Sequence, residues 1–184
     1  MRLRSLPSAL LASLLAALTI PFLGCDTAGV HAEQAPVMTY SGSNVATTIN
    51  LENNTVTDEE LFSGDGPLGT FTYRELHAEL QIPQPSDSCA SGPHSPIMTG
   101  AGVFRFQDGS LMTVNVTGGQ ICADLTTGVS TLSETYQITG GTGNLQGASG
   151  TLTLTGTLNV VLKDDSGNPR LSSNSGEFKG TILQ

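Results

Sequence analysis

Between Thr151 and Lys163 the chain alternates with a period of two: Leu152, Leu154, Leu158, Val160 and Leu162 are apolar, while Thr151, Thr153, Thr155, Thr157 and Asn159 are polar. Side chains on a strand point alternately to its two faces, so this pattern predicts a strand with one face in a core. Upstream, Val45, Thr47, Ile49 and Leu51 share one face of a short strand, and the polar stretch that follows through Asp58, Glu59 and Glu60 reads as a solvated acidic loop. A longer strand runs from Gly69 to Gln81 and stops at Pro83 and Pro85. The segment from Gln84 to Pro96 holds three prolines, several serines and Cys89, and reads as a long loop. Ile97 to Phe106 and Ser110 to Thr117 flank Gln107-Asp108-Gly109, whose Asp-Gly pair is a hairpin signal. Gly118-Gly119 then reads as a turn into Gln120 to Leu125, and Thr126-Thr127-Gly128 as a turn into Ser130 to Thr139. Asp164 to Asn168 turns the chain again, and Ser175 to Leu183 closes it.

About eight strands and no helix place the chain in the all-β class. Eight antiparallel strands joined by short turns predict a closed up-and-down barrel, which leaves no exposed edge; a two-sheet β-sandwich is the alternative.

Composition narrows the partners. The 184 residues carry 7 Lys+Arg against 16 Asp+Glu, a formal net charge of -9, and charged residues make up 12%. Phosphate binding needs a basic patch, so nucleic acid is excluded as an expected partner. Aromatic residues are 5% of the chain, which argues against an aromatic-lined pocket.

Arg2 and Arg4 precede an apolar stretch from Ala9 to Leu23, too short to span a bilayer and arranged like a signal peptide over residues 1–24. Phe22-Leu23-Gly24-Cys25 resembles a bacterial lipobox, which implies lipidation of Cys25 and a lipoprotein anchored at the cell envelope. Small residues in Val30-His31-Ala32 offer the other outcome, cleavage after Ala32 and a secreted or periplasmic protein. Residues 25–36 read as a flexible tether and residues 37–184 as the barrel domain. Membrane contact is expected only through the Cys25 anchor.

In an oxidising compartment the remaining cysteines, Cys89 and Cys122, are expected to form a disulfide. The loop it closes corresponds to about 3.7 kcal/mol of chain-entropy stabilisation.

The candidate chemistry lies on the third apolar segment. Phe71, Tyr73, Glu75, His77 and Glu79 share one face, and Arg74, Leu76, Ala78 and Leu80 share the other. If the first face lines the lumen, Tyr73, Glu75 and His77 supply a proton donor and a base. If Leu76 and Leu80 fill the core instead, the three are solvated and Arg74 needs a carboxylate or the barrel mouth. Arg105, between Phe104 and Phe106, faces opposite them and outward. No metal site is expected, because His77 and His94 lie in separate elements and neither Asp58-Glu59-Glu60 nor Asp164-Asp165 has the spacing of a calcium loop.

Thr139-Gly140-Gly141-Thr142-Gly143-Asn144-Leu145-Gln146-Gly147 has the look of a dinucleotide-binding loop. Such a loop must open a helix, and the leucine–threonine strand follows instead, so no cofactor is expected. Extended from Tyr136 to Gly150, the same stretch is similar to the glycine-rich "GGTGxFxGAxG" hairpin of dirigent proteins and of the allene oxide cyclase-like barrel group. Gly64 to Thr72 and Phe106 to Leu111 resemble further stretches of secreted bacterial members of unassigned function, so the resemblance runs from about residue 37 to the end. It implies an eight-stranded antiparallel barrel, and relatives that form dimers or trimers leave a homo-oligomer open. Asn144-Leu145 stands where an Arg-Phe or similar pair is common, and no plant catalytic residue maps onto a position of this chain.

Three functions fit these observations. The leading one is an exported barrel that binds a small apolar ligand or a surface partner without catalysis. The others are a cyclase- or dirigent-like enzyme that steers cyclisation or coupling of an apolar substrate in the lumen, and a packed structural envelope protein. A Tyr73, Glu75 and His77 cluster turned inward favours chemistry; an all-aliphatic lumen favours binding or structure.

Overall fold

The computed structural model describes residues 36–90, 92–124 and 127–184. The signal peptide over 1–24, the Cys25 lipidation site, the cleavage site after Ala32 and nearly all of the tether lie outside the described residues.

Eight strands follow one another in chain order: β1 (Val37–Asn50), β2 (Thr55–Asp65), β3 (Phe71–Leu80), β4 (His94–Phe106), β5 (Leu111–Ala123), β6 (Val129–Gly141), β7 (Ser149–Lys163) and β8 (Pro169–Leu183). Each pairs antiparallel with its neighbour, and β1 pairs with β8, with Val37 opposite Lys179 and Val45 opposite Leu171. The sheet closes into an up-and-down barrel, which rules out the sandwich. The alternation on β7 decides its facing: Leu152, Leu154 and Leu158 are buried and Thr151, Thr153 and Thr155 are exposed. A register shift between Val160 and Leu162 ends that pattern, and Leu162 is exposed. The outer wall is thus rich in hydroxyls, where a barrel set in lipid carries an apolar band.

Two errors in the strand expectations cancel in the count. The acidic stretch Asp58-Glu59-Glu60 is the middle of β2, not a loop, and Asp58 and Glu60 point inward with Val56 and Phe62. Gly118-Gly119 is an irregularity within β5 rather than a turn, so the two segments expected on either side are one strand. β1 begins earlier than expected and turns Met38, Tyr40 and Asn44 inward, while Leu51 lies in the following turn, 80% exposed. The Asp-Gly turn between β4 and β5 forms as expected, with Gly109 at φ 85°. The glycine-rich loop makes a single 3-10 turn (Gly143–Leu145) before β7.

One end of the barrel is plugged by Leu145 and Ala148, which pack with Met38, Phe106 and Ile182 in the core. At the other end the loop between β3 and β4 is fastened to β5 by the Cys89–Cys122 disulfide, with Cα atoms 5.5 Å apart across a separation of 33 residues.

The lumen is divided along its length. Tyr40, Phe62, Phe71, Tyr73, Phe104, Phe106, Tyr136 and Phe178 fill the plugged half, which accounts for every aromatic residue of the chain except Phe22. Their rings interlock: Tyr73 and Phe104 have centroids 4.3 Å apart, and Phe178 meets Phe104 edge-on at 5.0 Å. The small aromatic fraction is therefore concentrated in one place rather than spread thin. Beyond these rings the inner rows carry a polar layer, Asn44, Asp58, Glu60, Glu75, His77, Glu134 and Asn174, and buried Val56, Ile97, Leu132 and Leu158 lie toward the other end.

Candidate functional site

Strand β3 carries the first pieces. Tyr73, Glu75 and His77 occupy alternate positions with Phe71, and all four are buried, while Arg74 and Leu76 are exposed. The alternative in which Leu76 and Leu80 fill the core is overturned: Leu76 is 50% exposed and Arg74 reaches across the outer wall to Glu59, Nε to Oε1 at 2.6 Å. Apolar side chains lose the interior here because the polar row has partners waiting on the neighbouring strands. Across β2, Asp58 stands opposite His77 and Glu60 opposite Glu75. From β4 the facing residues are Gly100 and Gly102, and a side chain at Gly102 would overlap the Tyr73 hydroxyl. Glycine at that position is what makes room for the phenol. Strand β6 adds Glu134 and Tyr136, and β1 and β8 add Asn44 and Asn174.

The hydrogen bonds join these groups into one network. Tyr73 donates its phenol to Glu75 Oε2, and Tyr136 donates to Glu134 Oε2. The Asn44 and Asn174 side-chain amides both lie 3.4 Å from Glu60 Oε1, and Tyr40 donates to Asn174 Oδ1 at 3.0 Å. His77 Nδ1 lies 3.0 Å from Glu75 Oε1 and 3.3 Å from Glu134 Oε1. That nitrogen carries at most one hydrogen, so two carboxylates compete for it. Glu60 Oε2, Glu79 Oε2, Glu134 Oε1 and His77 Nε2 are buried with no hydrogen-bond partner among the described residues.

The electrostatics follow from this crowding. Five acidic side chains, Asp58, Glu60, Glu75, Glu79 and Glu134, share the region with one imidazole, and no Lys or Arg is buried among the described residues. Burial first, and the Glu75 charge second, push the Glu134 carboxyl up to about 8. Burial and the neighbouring Asp58 push Glu79 up to about 8 as well. Glu60 is driven well above the usual carboxylate range by burial and by Glu134. For His77, burial opposes the charged form, but the hydrogen bond to Glu75 and the charges of Glu134 and Glu60 outweigh it, holding the imidazolium well above its ordinary range. Burial, then Glu75, raises the Tyr73 phenol. The site therefore stores protons: several carboxyls are kept neutral beside a charged imidazole, a pattern in which acid and base roles are separated.

Of the residues expected to carry chemistry, Tyr73, Glu75 and His77 are brought together. Glu79, on the same face of β3, joins them, as do Asp58 and Glu60 of the stretch expected to be a solvated loop; Glu134 and Tyr136 come from a strand with no expected site residue. One signal for part of this set lies in the sequence: Tyr73 and Glu75, like Glu134 and Tyr136, are phenol–carboxylate pairs two residues apart, hence on one face of a strand. The absence of a metal motif did not exclude a cluster. Glu60, Glu75, His77 and Glu134 each place one ligand-capable atom within 4.8 Å of the others, and Asp58, His77 and Glu79 form a second such group. His94 lies apart, its Nδ1 3.2 Å from the Gln84 carbonyl. Two grooves lie elsewhere: one of about 960 Å³ involving outward residues such as Thr39, Ser63, Thr72 and Arg105, and one of about 260 Å³ at the plugged end beside Leu145.

The barrel is similar to that of a dirigent protein. The solved structure is the pterocarpan synthase dirigent protein GePTS1, matched over 89% of this chain and 99% of that one at 11% identity, with a TM-score of 0.40. At those values the likeness carries no argument, and the architecture rests on the strand pairing itself. No family model matches the chain, and no curated protein matches it.

Proposed function

We propose that this chain is an exported barrel enzyme that transfers protons on a small, largely apolar substrate, an isomerisation or cyclisation in which a carbon acid is deprotonated. The observation that carries this reading is the convergence of Tyr73, Glu75 and His77 inside the lumen rather than on its outer wall. Glu75 is the base; His77 Nδ1, 3.0 Å from Glu75 Oε1, and the Tyr73 phenol, which donates to Glu75 Oε2, hold it in place. The substrate approaches from the end opposite the Leu145 plug. Leu51, Ile82, Met98, Val161 and Leu162, all more than half exposed, lie in the turns and strand ends on that side and suit an apolar molecule. Export accords with the disulfide, and Cys25 lipidation or cleavage after Ala32 sets whether the barrel is anchored or free.

The test is deuterium incorporation. Small enolisable ketones are incubated with the purified protein in D2O and followed by proton NMR. The reading expects exchange at the carbon beside the carbonyl, reduced about a hundredfold or more in Glu75→Gln. Exchange at the buffer rate with the native protein contradicts it. The second reading, a packed structural barrel, is favoured by the near-complete burial of the inner rows, and it expects that buffer-rate outcome.

A further inference from the structure

We propose that Glu60, Glu75, His77 and Glu134 form a binding site for one divalent first-row transition-metal ion at the centre of the barrel. The proposal deepens the reading of the lumen as a reactive chamber by assigning it a cofactor; only its catalytic consequence rests on that reading.

The geometry has three parts. The four residues come from three strands and converge, with one donor atom from each within 4.8 Å of the rest. Each carboxylate is held from behind by its own donor: Glu75 by the Tyr73 phenol, Glu134 by the Tyr136 phenol, and Glu60 by the amides of Asn44 and Asn174. Such outer partners fix the orientation of ligating side chains in metal sites. The oxygens left over are the ones that lack partners: Glu60 Oε2 and Glu134 Oε1 are fully buried and receive no hydrogen bond. A buried oxygen without a donor costs free energy unless something positive meets it. Glu75 Oε1 and Glu134 Oε1 already flank His77 Nδ1 at 3.0 and 3.3 Å, so an ion there replaces one shared proton and satisfies the neighbours together.

Charge and ligand type narrow the ion. Three carboxylates around one imidazole bring a formal charge of about -3 when ionised, and a dication offsets most of it where no Lys or Arg is buried among the described residues. One nitrogen among oxygens suits Mn2+, Fe2+ or Zn2+ better than Ca2+ or Mg2+, which favour oxygen alone. With the ion in place Glu75 would serve as a ligand rather than as the base, and the ion would supply polarisation of a substrate carbonyl.

The experiment uses Mn2+ alone, with no substrate. The full chain is freed of metal with a chelator, returned to buffer, and titrated while electron paramagnetic resonance follows the six-line signal of free Mn2+. One ion is expected to bind per barrel. Glu60→Gln and Glu134→Gln, which keep side-chain shape and leave circular dichroism unchanged, are expected to weaken binding at least tenfold. Glu177→Gln on the outer wall is expected to bind as the native chain does. An undiminished free signal with the native protein overturns the proposal. So does unweakened binding in Glu60→Gln together with loss in Asp58→Asn, which would put the ion in the Asp58, His77 and Glu79 group. The two readings fail separately: Mn2+ binding without deuterium exchange sinks the catalytic role alone, and exchange without Mn2+ binding sinks the metal site alone.

Discussion

The two halves of the lumen solve the same problem, filling a small barrel, with opposite chemistry. In the plugged half, eight aromatic rings meet at offset and edge-on angles, and the three phenols among them donate to Glu75, Glu134 and Asn174. In the other half, carboxyls, amides and an imidazole are as deeply buried beside Val56, Ile97, Leu132 and Leu158, yet several of the polar atoms have no partner among the described residues. The first half contributes stability through area removed from water. The polar groups of the second contribute little, because buried polar groups often do no more than break even against the desolvation they suffer. A barrel that needed only stability would have continued the rings. Two tyrosines bridge the two layers, with the Tyr73 phenol donating to Glu75 and the Tyr136 phenol to Glu134.

The contrast breaks first in the aromatic half. Phe178 is fully buried and touches five other rings, so Phe178→Ala is expected to cost about 3–5 kcal/mol in urea denaturation. A loss below about 1 kcal/mol would mean that these rings are not the core. Next in size, Cys89→Ser with Cys122→Ser is expected to lower stability by about 2–4 kcal/mol without opening the sheet, read by the same denaturation and by far-ultraviolet circular dichroism. In the polar half, Glu134→Gln in metal-free protein near pH 6 is expected to change stability by no more than about 1 kcal/mol, since the amide resembles the neutral carboxyl already favoured there. A cost as large as that of Phe178→Ala would erase the distinction between the halves.

The same half sets the pH dependence. Glu134 and Glu79 have folded values of about 8 against an ordinary 4.5, so the folded chain binds their protons more tightly than the unfolded one. Their contribution is complete below about 4.5 and is lost as pH rises through about 8. Metal-free protein is therefore expected to melt at a lower temperature at pH 9 than at pH 5, and a profile that rises over this interval would contradict the burial of these carboxyls.

Much of the barrel is legible in the sequence, and most of the illegible parts share one cause. Strands β3 and β7 show their period directly, and the Asp108-Gly109 turn announces itself. Strand β2 hides because its inner row reads Val56, Asp58, Glu60 and Phe62, and charged residues are rarely inside unless paired. The pairing partners Asn44, Glu75 and His77 sit on other strands, where no local pattern shows them. The facing of β3 was open for the same reason: Leu76 and Leu80 compete with Tyr73, Glu75 and His77, and only the glycines opposite, Gly100 and Gly102, explain why the larger polar row fits inside. Glu134 was invisible as a site residue because its role depends on a closure of the sheet that sequence spacing does not encode. Strand β5 reads as two segments because two glycines at a bulge look like a turn.

The most direct test of the central claim, that a charged imidazole sits among carboxyls inside the barrel, is the 15N NMR spectrum of the His77 ring in metal-free protein. The chain has three histidines, and His77→Gln identifies the signal. The account predicts both ring nitrogens protonated at pH 8, with the Nδ1 proton in a slowly exchanging hydrogen bond to Glu75. A neutral ring at pH 8 that titrates near 6.5 and exchanges freely with water would contradict it.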